Sequence, residues 1–248
     1  MVWLHCFLDV PADRLDAAGA FWAAALGWPL GEPWPGHPEF RSLVPAAGDA
    51  YVHVQRIDEG GPRVHLDIES PEVSADVARL VDLGATRGRT DPAGDWQVMA
   101  SPGGLPFCVV PGTDARRRPD GVDVGDGVRD RLVQLCIDAP RDAADAEVAF
   151  WRAAIPGRWA ASTGEGLIGK LHPGVGSTLK LLFQRLGEET GPVRAHLDVG
   201  TTDVERDASR LERLGAVRVR DDDGWVTLRD PAGLAFCTTG NDPDEEPV

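Results

Sequence analysis

The chain has 248 residues, 40 of them acidic and 25 Lys or Arg, for a formal charge of −15. That length suits two domains of roughly 110 residues, each able to bury its own core. The charge argues against nucleic acid, whose phosphates need clustered Lys and Arg. No stretch approaches the roughly 18 apolar residues of a membrane span, and no basic-then-apolar leader opens the chain, so a cytoplasmic protein is expected.

Residues 3–9 alternate as a strand does. After Pro11 and Asp13, the residues Leu15, Ala18, Trp22, Ala25 and Leu26 fall on one helical face, and Gly27 ends the helix. Trp28, Pro33, Trp34, Pro35, Gly36 and His37 then have the composition of an aromatic loop. Strands are predicted around 40–44 and 50–57. A strand over 63–68 restarts the plan. Ser70, Pro71 and Glu72 open a helix lined by Val73, Val77 and Leu80, with Gly84 as its stop. Strands fit near 86–90, 95–100 and 106–110.

Residues 113–127 are rich in Asp, Arg and Gly and poor in apolar side chains, which predicts a solvated linker that includes Arg116, Arg117 and Arg118. Beyond it come a strand over 131–138, a helix over 142–154, strands to 185, a strand over 193–199, a helix over 203–214, and strands to 238. Residues 242–248 are acidic and expected to be disordered.

The second half repeats the first. Asp9, Phe21 and Trp22 recur as Asp138, Phe150 and Trp151; His65, Leu66 and Asp67 recur as His196, Leu197 and Asp198. Phe107 and Cys108 recur as Phe236 and Cys237. The period is too long for a solenoid and marks a duplicated domain. Domain one is 1–112, the linker 113–127, domain two 128–241 and the tail 242–248. Within each domain the βαβββ plan occurs twice. The fold class is α+β, with four such modules. Cys6, Cys108, Cys136 and Cys237 lie in apolar, strand-like surroundings and are expected as free core thiols.

Paired βαβββ modules with these signposts resemble the vicinal oxygen chelate superfamily, which includes glyoxalase I, bleomycin-resistance proteins and extradiol dioxygenases. The likeness rests on the first strand running into Val10-Pro11, Phe-Trp on the first helix, Gln55-Arg56 and Gln184-Arg185, the Arg-x-His-Leu-Asp strand, and Asp230-Pro231-Ala232-Gly233 before Phe-Cys. The resemblance implies mixed sheets curled into cups that hold a divalent metal or a bare organic ligand. It maps the metal positions of domain one to His5, His53, His65 and Cys108, and those of domain two to Gln134, Leu182, His196 and Cys237. Metal-using relatives carry glutamate where the two cysteines stand, so a divalent ion is expected in domain one alone, if anywhere.

His65 and Asp67 are two apart on a strand and share a face, as do His196 and Asp198. They are the expected catalytic or hydrogen-bonding pairs. His5, Gln134, Gln55, Gln184, Trp28 and Trp34 are the expected ligand-binding residues, the tryptophans by stacking on a flat or cationic molecule. The leading expectation is a module that binds a small hydrophobic or cationic compound, of the resistance or sequestration kind. A metal-dependent lyase, isomerase or dioxygenase and a metal-free enzyme with a histidine base are the alternatives. The partner is a small molecule, and the chain a pseudo-twofold monomer or a homodimer.

Overall fold

The computed structural model describes residues 3–91, 96–112, 115–164 and 166–245. Residue 95 of one expected strand, linker residues 113 and 114, and tail residues 246–248 lie outside the described residues.

The first module runs β1 (Leu4–Pro11), α1 (Leu15–Leu26), β2 (Leu30–Trp34), β3 (His37–Leu43) and β4 (Val52–Ile57). The second runs β5 (Arg63–Ser70), α2 (Val73–Asp82), β6 (Thr86–Thr90), β7 (Gln97–Ala100) and β8 (Pro106–Pro111). Gly27 closes α1 in the left-handed region at φ 64° and returns its N–H to Ala23, which an L-residue would do only under strain. Of the aromatic loop expected after α1, Pro33 and Trp34 lie instead in strand β2 and His37 in β3, paired as a hairpin with Pro35 and Gly36 as its turn. β2 is the outermost strand of its sheet, where prolines cost no ladder bonds, and the pairing is bulged.

Both modules join one eight-stranded sheet in the order β2-β3-β4-β1-β5-β8-β7-β6, with β1 and β5 antiparallel at its centre. Each cup therefore closes within one domain. Domain two repeats the arrangement with β10 (Val128–Ala139), α3 (Ala144–Ala154), β11 (Arg158–Ala161), β12 (Leu167–His172), β13 (Lys180–Arg185), β14 (Arg194–Thr201), α4 (Val204–Arg213), β15 (Val217–Asp222), β16 (Trp225–Arg229) and β17 (Ala235–Thr239). Within the linker, β9 (Val122–Gly125) pairs with β10.

The convex faces meet through exchanged helices. Trp22 of α1 packs on Phe236 of β17 with ring centroids 5.0 Å apart, and Trp151 of α3 packs on Phe107 of β8 at 5.2 Å. Burying an indole N–H requires an acceptor. Trp22 finds Asp230 at 2.8 Å; Trp151 finds Glu147, one turn earlier on its own helix, also at 2.8 Å. The same Glu147 accepts from Ser101 and the Gly103 N–H, whereas Asp230 accepts from the N–H groups of Ala232 and Leu234. One carboxylate thus serves each indole, and domain two supplies both, Asp230 from a turn and Glu147 from helix α3.

A second exchange caps the helices. Arg210 of α4 donates to the carbonyls of Ala24 and Ala25 at the end of α1, and Arg79 of α2 donates to those of Ala153 and Ala154 at the end of α3. A cation at a helix C-terminus also opposes the helix dipole.

Candidate functional site in the concave faces

Strand register puts the polar residues of domain one on one face. His5 lies opposite Asp67 and Phe7 opposite His65 across β1 and β5. Phe7 is level with His53 on β4, Asp9 with Gln55, and Asp67 with Cys108 on β8. Since alternate residues face alternate sides, His5, Phe7, Asp9, His53, Gln55, His65, Asp67, Glu69 and Cys108 all look into the cup. The cavity there has a volume of about 600 Å³. Phe7, Trp34, Phe40 and Trp96 form its aromatic wall; Val98, Pro106, Val110 and Pro111 face it, and Arg63, Arg89 and Arg116 contribute cations.

Two polar groups divide the floor. In the first, Asp9 sits 2.8 Å from His65 Nδ1 and accepts the Arg63 guanidinium at 2.9 Å, while His65 Nε2 stands 3.4 Å from Asp67 Oδ1. Burial alone would favour a neutral His65. The charge of Asp9 and the hydrogen bonds to both carboxylates outweigh it, holding the imidazole pKa well above the ordinary value. Cys108 is a thiol at neutral pH, its pKa pushed up to about 11 by burial and by Asp67. In the second group His5 joins His53 through Nδ1 and Glu69 through Nε2, both at 2.9 Å, and Arg116 closes on Glu69 at 2.6 Å. Burial and neighbouring His5 hold the His53 pKa well below the ordinary value, so that ring is neutral.

The four donors that the resemblance assigned to a metal are therefore split. His65 comes together with Cys108 and Asp67, their donor atoms within 4.8 Å of one another, whereas His5 and His53 bind each other. A divalent ion needs deprotonated ligands directed at one point. Both nitrogens of His5 are engaged by His53 and Glu69, so the four donors do not converge on one point. His65, Asp67 and Cys108 do cluster and are the residues that would hold an ion.

Domain two keeps the first group and loses the second. Asp138 lies 2.6 Å from His196 Nδ1, and Asp198 Oδ1 lies 3.5 Å from its Nε2, close to Cys237. Burial again opposes a charged ring, but the Cys136 sulfur and the carboxylates Asp138 and Asp198 hold the His196 pKa well above the ordinary value. Gln134, in the place of His5, donates to Asp198. Gln184 sits beside the Cys136 sulfur at 3.6 Å. Leu182 takes the place of His53 and is buried.

Of the ligand-binding residues expected from sequence, His5, Gln55 and Trp34 line the cavity. Trp28 does not. It is 1% exposed and packs edge-on against Tyr51, because the turn after Gly27 sends its ring under the sheet. Arg116 corrects the reading of a solvated linker: the chain doubles back after β8 and lays this guanidinium on Glu69. Sequence reasoning missed Asp9, Glu69, Arg116 and Asp138 as site residues. Glu69 was legible, two residues beyond Asp67 on the same strand; Asp9 and Asp138 recur at matched positions, which marks the repeat without saying that they face the imidazoles.

Two cup-shaped sheets built from paired βαβββ modules define a vicinal oxygen chelate protein. The Glyoxalase-like domain model matches residues 5–110 and again residues 134–239, and the chain belongs to that family. No curated protein sequence matches it. Among solved structures, the Mn(II)-bound glyoxalase from Novosphingobium aromaticivorans is 19% identical with a TM-score of 0.62, over 98% of this chain and 84% of that one. A mutant 4-hydroxymandelate synthase from Streptomyces coelicolor is 16% identical at 0.60, over 96% of this chain and 92% of that one. A catechol 2,3-dioxygenase is 15% identical at 0.58, over 96% and 88%. At such identities the likeness is one of fold.

Proposed function

We propose that the cup of domain one binds a flat small organic molecule bearing a positive charge or a strong hydrogen-bond donor, without help from a metal, and so sequesters it. One observation carries this reading. Asp67 Oδ1 is buried and has no short hydrogen bond, His65 Nε2 standing off at 3.4 Å, while Phe7, Trp34, Phe40 and Trp96 line the cavity above it. A buried carboxylate oxygen so weakly met is costly and is rescued by a ligand N–H or O–H. The aromatic faces stabilise a cation by their quadrupoles, and the cavity volume matches a drug-sized guest. Arg63 and Arg116 are held by Asp9 and Glu69, and His65 lies closer to Asp9 than to Asp67, at 2.8 against 3.4 Å, so Asp67 keeps room for a second donor.

The reading with a histidine base is less well supported, because a protonated His65 donates protons rather than taking them. Titrating tryptophan fluorescence with benzyltrimethylammonium and with neutral benzyl alcohol tests the proposal. Both should quench the wild type, Trp34→Ala should weaken both, and Asp67→Asn should weaken the cation alone, by about tenfold or more for a buried charge contact. Micromolar binding of Mn(II) or Zn(II) that His65→Asn abolishes would replace this reading with a metal enzyme.

A further inference from the structure

We infer that the cup of domain two is a separate site for a small organic carboxylate, and that Glu245 of the tail occupies it as an intramolecular stand-in. The chain contains only two lysines, Lys170 and Lys180, against 23 arginines. Both face this one cup. Lys170 on β12 is level with Leu182, Cys136 and His196 across the sheet, and Lys180 on β13 is level with Gln134 and Asp198. Residues level with one another on adjacent strands share a face, so the two ammonium groups converge on the surface that carries His196.

Two like charges on one concave, partly buried face demand an anion. Lys180 is only 5% exposed, and its partner is Glu245 at 2.6 Å. Lys170 makes no ion pair among the described residues, and burial together with Lys180 lowers its pKa. His172, level with Arg158 at the next position on that face, is 8% exposed and its buried Nδ1 has no hydrogen-bond partner. Asp198 does not satisfy these cations, since its Oδ2 is taken by Gln134 and its Oδ1 faces His196. A guest with one carboxylate can meet the lysine pair and still leave a group for the orphaned imidazole nitrogen.

The tail is placed as a strap. Asp244 is held by Arg129 at 2.9 Å and by the Gly121 N–H, Pro243 receives the buried Arg131, and the Glu245 carbonyl accepts from Arg118. Only the Glu245 carboxylate then reaches inward. Its side chain is 45% exposed, so it covers the lysines without being sealed in. The offset of 129 residues that relates the two domains pairs Glu245 with Arg116, the linker residue that lies on Glu69 in domain one. Each domain thus folds the segment after its last strand over its own cup, with the charges inverted: a cation on an acidic wall in the first, an anion on a basic wall in the second. That inversion fits two cups that take guests of opposite charge.

Lysine labelled with 13C at Cε gives two side-chain resonances, one for each lysine, and reads the site directly. Glutarate and benzoate should shift both resonances in a saturable way. Glu245→Gln, which removes the competing carboxylate, should lower the apparent Kd by about tenfold or more, as freeing a site from an intramolecular occupant does. Lys170→Gln, at a partly exposed position, should abolish saturation in the Glu245→Gln background while leaving the thermal melt cooperative. The inference is overturned if Glu245→Gln melts cooperatively but shows no saturable shift, if Lys170→Gln leaves binding intact, or if sulfate or phosphate shifts the resonances as well as the carboxylates do. Trp34→Ala should leave these titrations unchanged, which separates this site from the aromatic cup of domain one.

Discussion

Trp22 of domain one donates its indole N–H to Asp230 of domain two at 2.8 Å, across 208 positions of sequence. Asp230 also holds the N–H groups of Ala232 and Leu234. Asp230→Ala would leave three donors unsatisfied, two of them in the backbone of one turn, and each such group costs about 1–3 kcal/mol when buried. A loss of about 3 kcal/mol or more is expected in guanidinium unfolding, with Asp230→Asn distinctly milder. Equal, small losses from both would show that the carboxylate is not what holds the domains together.

The opposite half makes a sharper test. A Cβ at Gly103 would stand 2.4 Å from Val193 Cγ2 and 2.8 Å from Glu147 Oε1. Gly103→Ala should therefore cost about 1–3 kcal/mol by overpacking. The triple change Ser101→Asp, Gly103→Ala and Glu147→Ala copies the solution used around Asp230, and should be more stable than Gly103→Ala alone. Simple additivity of the single changes would contradict this, because residues sharing one hydrogen-bonded cluster couple.

The buried histidines set a pH signature. His53 has a depressed folded pKa, so as pH falls below the unfolded value of about 6.5 the unfolded chain takes up a proton that the folded chain refuses, and stability is lost. His65 and His196 have raised pKa values, so their contribution is complete below about 6.5 and fades as pH rises through the folded pKa. Each group bends the curve by at most about 1.4 kcal/mol per pH unit. Thermal melts of His53→Gln should show a shallower acid limb than wild type, and His65→Asn a shallower alkaline limb. An acid limb unaltered by His53→Gln would place the titration elsewhere.

All four thiols are free and buried. Burial raises the pKa of Cys6, Cys108 and Cys136. At pH 7.5 Ellman's reagent should therefore titrate none of them on the minute scale in the native protein, and all four after unfolding in guanidinium. Rapid reaction of Cys108 in the folded protein would show a thiolate there and reopen the question of a metal in domain one.

Hydrophobic period, turn residues and the internal repeat make the four modules legible in the sequence, because those signals do not depend on how the strands pair. The facing of His65 and Asp67 was equally legible, resting only on the two-residue period of a strand. Asp9 was not. Its role depends on the antiparallel register between β1 and β5, which the sequence does not state. The β2 strand was hidden by prolines that an edge position tolerates. Arg116 and Glu245 were hidden by composition, since polar segments are read as solvated, yet the repeat places them at equivalent positions.

The unequal placing of the two indole acceptors has a consequence for ancestry and assembly. Two copies of the N-terminal half, paired with each other, would bury Trp22 against Ser101 and Ala18 with no carboxylate in reach. Two copies of the C-terminal half would crowd Glu147 and Asp230 around a single Trp151, stranding a second negative charge in apolar surroundings. Each homotypic pairing is spoiled while the heterotypic one is satisfied, as in a lock whose two parts have been cut to reject their own duplicates. Since the duplication, the halves have drifted into mutual dependence, and a stand-alone version of either would need its acceptor rebuilt before it could associate.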